Sequence, residues 1–276
     1  MKQLILVADM EGASGIFENS WCWGGEEDWL KHGRDCITSD ALAICSAAVD
    51  FGIDDILLYD MHEAGNPEFN IKLEKLPSIV RVFDVLDRRF DWRRLRGQAA
   101  QRPFGLITFG QHARYGTPDA YMPHTIQSPP IKNIIVNGLH VAEIGNAVLN
   151  FYDTPYLANV GCQASMQEAL ELSEFITTIP VKDKSRNWMP SPEETYPLIY
   201  AGVTEALRNA DKAKSVKLQP PYLFSMELCD GYQFDTTAEI TWKGIVGETK
   251  AQWTATNVPM GIEIFNSVRA LLRNIK

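Results

Sequence analysis

No run of 18 or more apolar residues occurs in the 276-residue chain, and a helix needs about 20 to cross a bilayer, so no membrane span is expected. The five cysteines, Cys22, Cys36, Cys45, Cys162 and Cys229, are odd in number and form no C-x-x-C pair. That argues against a disulfide framework and a cysteine zinc site, and fits a reducing compartment. Basic charge is scarce: Lys and Arg number 26 against 35 Asp and Glu, a net charge of -9. Phosphate binding draws on clustered Lys and Arg that displace counterions, so nucleic acid is not an expected partner. The longest basic cluster, Arg88-Arg89 with Arg93-Arg94 and Arg96, is interrupted by Asp91 and Trp92 and reads as a solvated face. Met1-Lys2-Gln3 leads straight into a five-residue apolar run, too short for a signal peptide's apolar region. A cytoplasmic protein is expected.

What is present is an alternation of short apolar runs and helical periodicity. Leu4-Ile5-Leu6-Val7-Ala8 and Ile56-Leu57-Leu58-Tyr59 are continuous apolar runs too short for helices, the signature of strands buried on both faces of a parallel sheet. Between them Thr38-Ser39-Asp40 offers an N-cap, Ala41, Ile44, Cys45, Ala48 and Val49 repeat at helical spacing, and Gly52 ends the helix. Cys45 falls on the apolar face and is assigned to the core. Leu106-Ile107-Thr108-Phe109 is a third strand, and Asn137-Gly138 between β-prone runs predicts a hairpin. Helices over 143–151 and 163–175 flank a strand over 156–160. Past residue 175 the texture shifts to a helix begun by Pro190-Ser191-Pro192-Glu193-Glu194 and running to about Asn209, then short strands over 222–228, 238–242 and 251–255, closed by a helix over 260–272. The expected fold is α/β, a mixed but mostly parallel sheet flanked by helices, over residues 1–175, with a smaller C-terminal α+β unit over 176–276.

Chemistry gathers at the strand ends. The first strand runs into Asp9-Met10-Glu11-Gly12, the second into Asp60-Met61-His62, the third into Gly110-Gln111-His112. The carboxyl ends of neighbouring parallel strands open on one crevice, so residues about 100 positions apart meet there. A single Asp-x-Glu is more often a turn or cap device, and a single loop histidine is usually just exposed. Three independent strand ends in a chain of only five histidines tip the balance toward a functional cluster. His124 in Met122-Pro123-His124-Thr125 and Glu143 at a helix start lie near it in sequence; His32 and His140 have no such placement and are read as structural. Imidazole with carboxylate suits zinc, whereas an all-oxygen set would point to magnesium or calcium. Asp9, Glu11, His62, His112 and Glu143 supply six contacts if one carboxylate, expected to be Asp9, is shared. That is three contacts for each of two ions, with an open position for substrate or water. His124 is left for proton transfer or transition-state stabilisation.

These segments resemble the bacterial zinc-dependent D-aminopeptidases of the dipeptide-transport operon type. The resemblance rests on Ala8-Asp9-Met10-Glu11-Gly12-Ala13-Ser14-Gly15, Asp60-Met61-His62, Gly110-Gln111-His112-Ala113-Arg114, Met122-Pro123-His124-Thr125, and Val136-Asn137-Gly138 followed by Glu143 and Gly145. It implies two zinc ions per chain held by Asp9, Glu11, His62, His112 and Glu143, with His124 as the catalytic histidine. It also implies aminopeptidase action releasing N-terminal D-amino acids from short peptides or amino-acid amides, and a ring-like homo-oligomer such as a decamer. Two segments differ from the family pattern, the aromatic stretch from Trp21 to Trp29 and Gly161-Cys162-Gln163, read as a turn; both are candidates for the substrate-pocket wall. The rival readings are a dinuclear hydrolase of another amide or of a phosphoester, and a non-enzymatic metal-binding protein. A phosphoester enzyme wants cations near the cluster, and only Arg114 is near it in sequence.

Overall fold

Six strands lie parallel in the order β3-β2-β1-β4-β7-β8, built from β1 (Gln3–Ala8), β2 (Asp55–Asp60), β3 (Val80–Val82), β4 (Gly105–Gln111), β7 (Tyr156–Cys162) and β8 (Thr177–Lys182). The computed structural model describes residues 2–62, 68–83, 97, 99–126 and 129–275; the basic cluster from Arg88 to Arg96 lies outside them. Apolar runs produce this sheet because it is buried on both faces. Leu4, Leu6 and Ala8 enter one core cluster, while Ile5 and Val7 enter the other. The first face is covered by helices α1 (Arg34–Phe51) and α4 (Pro192–Arg208). The second is covered by α2 (Glu143–Asn150), α5 (Val258–Arg269) and an antiparallel sheet of order β11-β12-β9-β5-β6. That sheet comprises β5 (Ile131–Val136), β6 (Leu139–His140), β9 (Tyr222–Leu228), β11 (Gly244–Val246) and β12 (Lys250–Ala255). A small pair, β10 (Tyr232–Phe234) with β13 (Leu272–Asn274), and helix α3 (Met166–Leu172) complete the elements discussed.

From β1 the chain steps outward to β2 and β3, then returns to the other side of β1 for β4, β7 and β8. The order reverses between β1 and β4, which is the topological switch point where a crevice opens at the carboxyl ends of an open parallel sheet. Three glycines close that edge tightly. A Cβ on Gly12 would lie 1.8 Å from the Gln111 carbonyl oxygen, one on Gly161 2.1 Å from the same oxygen, and one on Gly110, which has φ +67°, 2.0 Å from the Asp9 carbonyl oxygen. Only glycine permits backbones to approach this closely.

Several boundaries depart from the sequence reading. The layers do not part at residue 175: β8 and α4 belong to the parallel layer, while β5 and β6 pair with β9. β8 escaped notice because Pro180 interrupts Thr177–Lys182; it is an edge strand, where a missing N–H is tolerated. The strand expected over 238–242 is replaced by the shorter β10 and β11 on either side. The 163–175 helix contracts to Met166–Leu172 behind a 3-10 turn. Thr38 and Asp40 are not caps. α1 starts at Arg34, continuing a π-helical turn over Trp29–Gly33, and both polar residues are buried tertiary acceptors, Thr38 for the Lys72 N–H and Asp40 for the Ser14 N–H. The Asn137-Gly138 hairpin forms as expected, with φ of 49° and 88°, the left-handed pair of a type I′ turn. Cys45 is buried in the core, and all five cysteines are free thiols.

Candidate metal centre

Asp9 directly follows β1, Glu11 lies two residues on, His62 follows β2, His112 follows β4, and Glu143 is the first residue of α2. All five converge with His124 at the switch point. His62 Nε2 is 3.1 Å from Glu11 Oε1, and His112 Nε2 is 3.4 Å from Asp9 Oδ2 and 3.6 Å from Glu143 Oε1. His124 Nε2 is 3.6 Å from Glu143 Oε1 and 3.9 Å from Glu11 Oε1. Its ring stacks on His112 with centroids 4.0 Å apart. Two sets of potential ligand atoms, Asp9-Glu11-His62 and Glu11-His112-His124, are each compact enough to surround one cation. Glu11 is common to both sets.

Whether these groups suit a cation can be judged from their partners. Asp9 Oδ2, Glu11 Oε2, His112 Nε2 and both carboxylate oxygens of Glu143 are buried with no hydrogen-bond donor or acceptor among the described residues. Burying unpaired carboxylates costs several kcal/mol each, and four carboxylate oxygens gathered with one imidazole nitrogen suit a positive ion. The imidazoles are pre-set for the role. His112 Nδ1–H donates to the Ala113 carbonyl at 2.9 Å and His124 Nδ1–H to the Met122 carbonyl at 3.0 Å, leaving each Nε2 lone pair facing the cluster, as an outer-shell hydrogen bond does for a metal-binding histidine.

The electrostatics agree. Burial raises the Asp9 carboxyl well above its usual range, helped by the Glu11 charge. Burial pushes the same way at Glu11 and Glu143, but His62 at the first and His112 at the second outweigh it and hold both acids low. Burial would lower His62 and His112, yet Glu11 carries His62 up to about 9 and Glu143 carries His112 well above its ordinary value. Glu11 and Glu143, held ionised, draw positive charge into this pocket, from protonated imidazole or from a metal ion.

Sequence reasoning overlooked the scaffold behind the ligands. Asn70 accepts from Trp29 Nε1–H at 2.9 Å, clamps Asp60 with its backbone N–H at 2.8 Å and its side-chain amide at 3.0 Å, and donates to the His62 carbonyl. Trp29 and Cys22 are therefore core residues of the aromatic stretch, and Trp29 braces the His62 backbone instead of lining a pocket. Trp21 packs against His32 with the two rings tilted, and Trp23 is exposed. Gly161 and Cys162 are not a turn but the end of β7, with Cys162 buried; Gln163 opens the following 3-10 turn. His140 Nδ1–H donates to Asn133 Oδ1 at 2.8 Å in the hairpin, a structural role.

A buried imidazole and carboxylate cluster at the switch point of a parallel sheet defines a metallohydrolase-type centre. The D-aminopeptidase family model matches residues 1–267, and the chain belongs to that family of peptidases. It is 27% identical over 268 residues to the D-aminopeptidase of Bacillus subtilis (strain 168), covering 93% of this chain and 90% of that protein. Its fold matches the solved structure of the Zn-dependent D-aminopeptidase DppA from Bacillus subtilis, a self-compartmentalizing protease. The TM-score is 0.82 at 25% identity, over 98% of this chain and 97% of that one. Among the described residues, no helix is long and apolar enough to cross a membrane.

Proposed function

We propose that this peptidase is a zinc aminopeptidase that holds two ions per chain and releases N-terminal D-amino acids from short peptides or amino-acid amides. The observation that carries the reading is the set of five buried, unpartnered ligand atoms on Asp9, Glu11, His112 and Glu143. Asp9, Glu11 and His62 would hold one ion; Glu11 and His112 the other, with Glu143, 3.6 Å from His112, as its third ligand in place of the His124 of the compact set. When bound, zinc supplies Lewis-acid polarisation of a scissile carbonyl and acidifies a water molecule.

The chain's own groups do the rest. His124 has its Nδ1–H tied to the Met122 carbonyl, so Nε2 is the atom that exchanges a proton at the cluster, protonating the departing amine or donating to a developing oxyanion. It lies outside the proposed ligand set and is more exposed than His112, as a proton carrier must be. Burial of Asp9, Glu11 and Glu143 excludes water from the carboxylates and strengthens their grip on a cation. The likeness to a self-compartmentalizing protease supports assembly into a homo-oligomer, a ring-like decamer in this reading. The absence of a long apolar helix among the described residues agrees with work in the cytoplasm.

Elemental analysis of protein purified with zinc, joined to kcat/KM for paired D- and L-alanine amides, tests the proposal. Two ions per chain and faster cleavage of the D-enantiomer are expected. One ion per chain would remove the dinuclear arrangement, and equal rates would remove the D-specificity.

A further inference from the structure

Lys182 ends β8 with its side chain fully buried. Lysine is almost never buried completely unless paired with an acid, and among the described residues Lys182 enters no ion pair. Its ammonium instead donates to three backbone carbonyls, of Glu11 at 2.7 Å, of Ala13 at 3.0 Å and of Ile16. The rings of Tyr121 and Phe17 flank it at 5.1 and 5.4 Å, close enough for cation–π attraction. All three N–H donors are thereby used on one loop, the one that follows β1.

This contact crosses the sheet. β8 is separated from β1 by β4 and β7, and the Lys182 side chain reaches across to the loop that follows β1. Burying an ammonium without a counter-ion costs several kcal/mol, and a methionine would fill much the same volume without that cost. The return lies in what the ammonium holds. The Glu11 carbonyl belongs to the residue whose carboxylate is common to both compact ligand sets, and hydrogen bonds from a charged donor are the strong ones. On its other side the loop is pinned by Ser14, which donates its N–H to Asp40 at 3.0 Å and accepts from Thr195 at 2.7 Å.

We propose that Lys182 is a positioning residue of the metal centre: by gripping the Glu11, Ala13 and Ile16 carbonyls it sets the backbone of Glu11, and so the direction of the shared carboxylate. The assignment rests on the zinc reading given above. Its effect on the metal passes through Glu11, which distinguishes it from general support of the fold.

The experiment compares zinc retention against a graded chelator for the wild type, Lys182→Met, Glu11→Ala and the double variant, with thermal unfolding of each metal-free protein alongside. Lys182→Met should unfold cooperatively and bind zinc about 10- to 100-fold more weakly, the range for loss of a group supporting a ligand. In the Glu11→Ala background the same substitution should change zinc affinity less than about twofold, because the group it aims is gone. Equal losses in both backgrounds would make Lys182 a structural residue only, and unchanged affinity of Lys182→Met would overturn the proposal outright. If Glu11→Ala itself leaves zinc binding intact, the metal reading fails first. Should Lys182→Met not fold, Lys182→Gln, which keeps two donors without the charge, takes its place under the same comparison.

Discussion

The loop after β1 and the segment between β4 and β5 deliver side chains to the same cluster and are built in opposite ways. Every residue from 3 to 16 is buried, and the loop is held by Lys182, by Asp40 and by the close approach of Gly12 to Gln111. The segment carrying His124 is half-exposed along much of its length, and Asp119, Met122 and Ile126 have φ of 52°, 47° and 59°. A left-handed conformation costs a residue with a Cβ roughly 1–2 kcal/mol, and Met122 and Ile126 stand two residues to either side of His124. Groups that would hold an ion sit on backbone locked from several directions. The group that would pass a proton sits on strained backbone tied mainly by Thr125, which accepts from the Tyr115 N–H and donates to the Lys132 carbonyl. Holding a cation demands fixed distances, whereas proton transfer demands access, and the two loops divide those tasks.

The sharpest way to break this contrast is to remove the half-exposed His124 and, separately, His112, which stands buried directly after β4 and packs against Asp9 of the loop after β1. His124→Ala is expected to keep its zinc and lower kcat by about 10² or more, the range for a general acid-base group. His112→Ala, whose ring is buried against Asp9 and Glu143, is expected to lose zinc altogether. Metal analysis beside steady-state kinetics decides it, and loss of metal in His124→Ala would move that residue among the ligands, as its distance of 3.6 Å from Glu143 allows.

Glycine substitutions test the packing half of the comparison. Gly110→Ala places a Cβ 2.0 Å from the Asp9 carbonyl oxygen at φ +67° and should cost about 3 kcal/mol or more of stability. Gly116→Ala, in the His124 segment, has φ +79° but nothing within 4 Å and should cost about 1 kcal/mol, the backbone penalty alone. Denaturant unfolding of both measures the difference, and similar losses would mean the two regions are equally confined.

A pH dependence arises at Asp40 of α1, which pins the rigid loop through Ser14. Burial raises the Asp40 carboxyl to about 6, against the pull of its hydrogen bonds from Ser14. The folded chain thus binds a proton between about pH 4 and pH 6 that the unfolded chain releases. Stability from this group is complete below about pH 4 and lost as pH rises through about 6. Asp40→Asn should flatten that slope, gaining on the wild type by roughly 1–3 kcal/mol between pH 4 and 6, read from metal-free unfolding curves. Parallel curves for the two proteins would show that Asp40 does not titrate in this window.

How far the sequence reached can be argued from particular residues. Apolar runs of four or five residues ending in Asp9, His62 and His112 specify buried parallel strands and place ligand types at their ends, because strand burial and strand direction are local consequences of side-chain pattern. Asn137-Gly138 determines its hairpin through the left-handed φ of both residues. The candidate ligands were legible for the same reason: each stands one to three residues past an apolar run. Only the tertiary structure decided which layer each segment joins, how the cluster is shared and what braces it. Pro180 hid an edge strand, Thr38 and Asp40 resembled a cap until the preceding helical turn was seen, and Trp29 resembled a pocket residue until Asn70 met it. Lys182 and Glu11 are 171 positions apart. No pattern in sequence relates them, because their contact exists only once the sheet order sets two strands between β8 and β1 and the lysine reaches across.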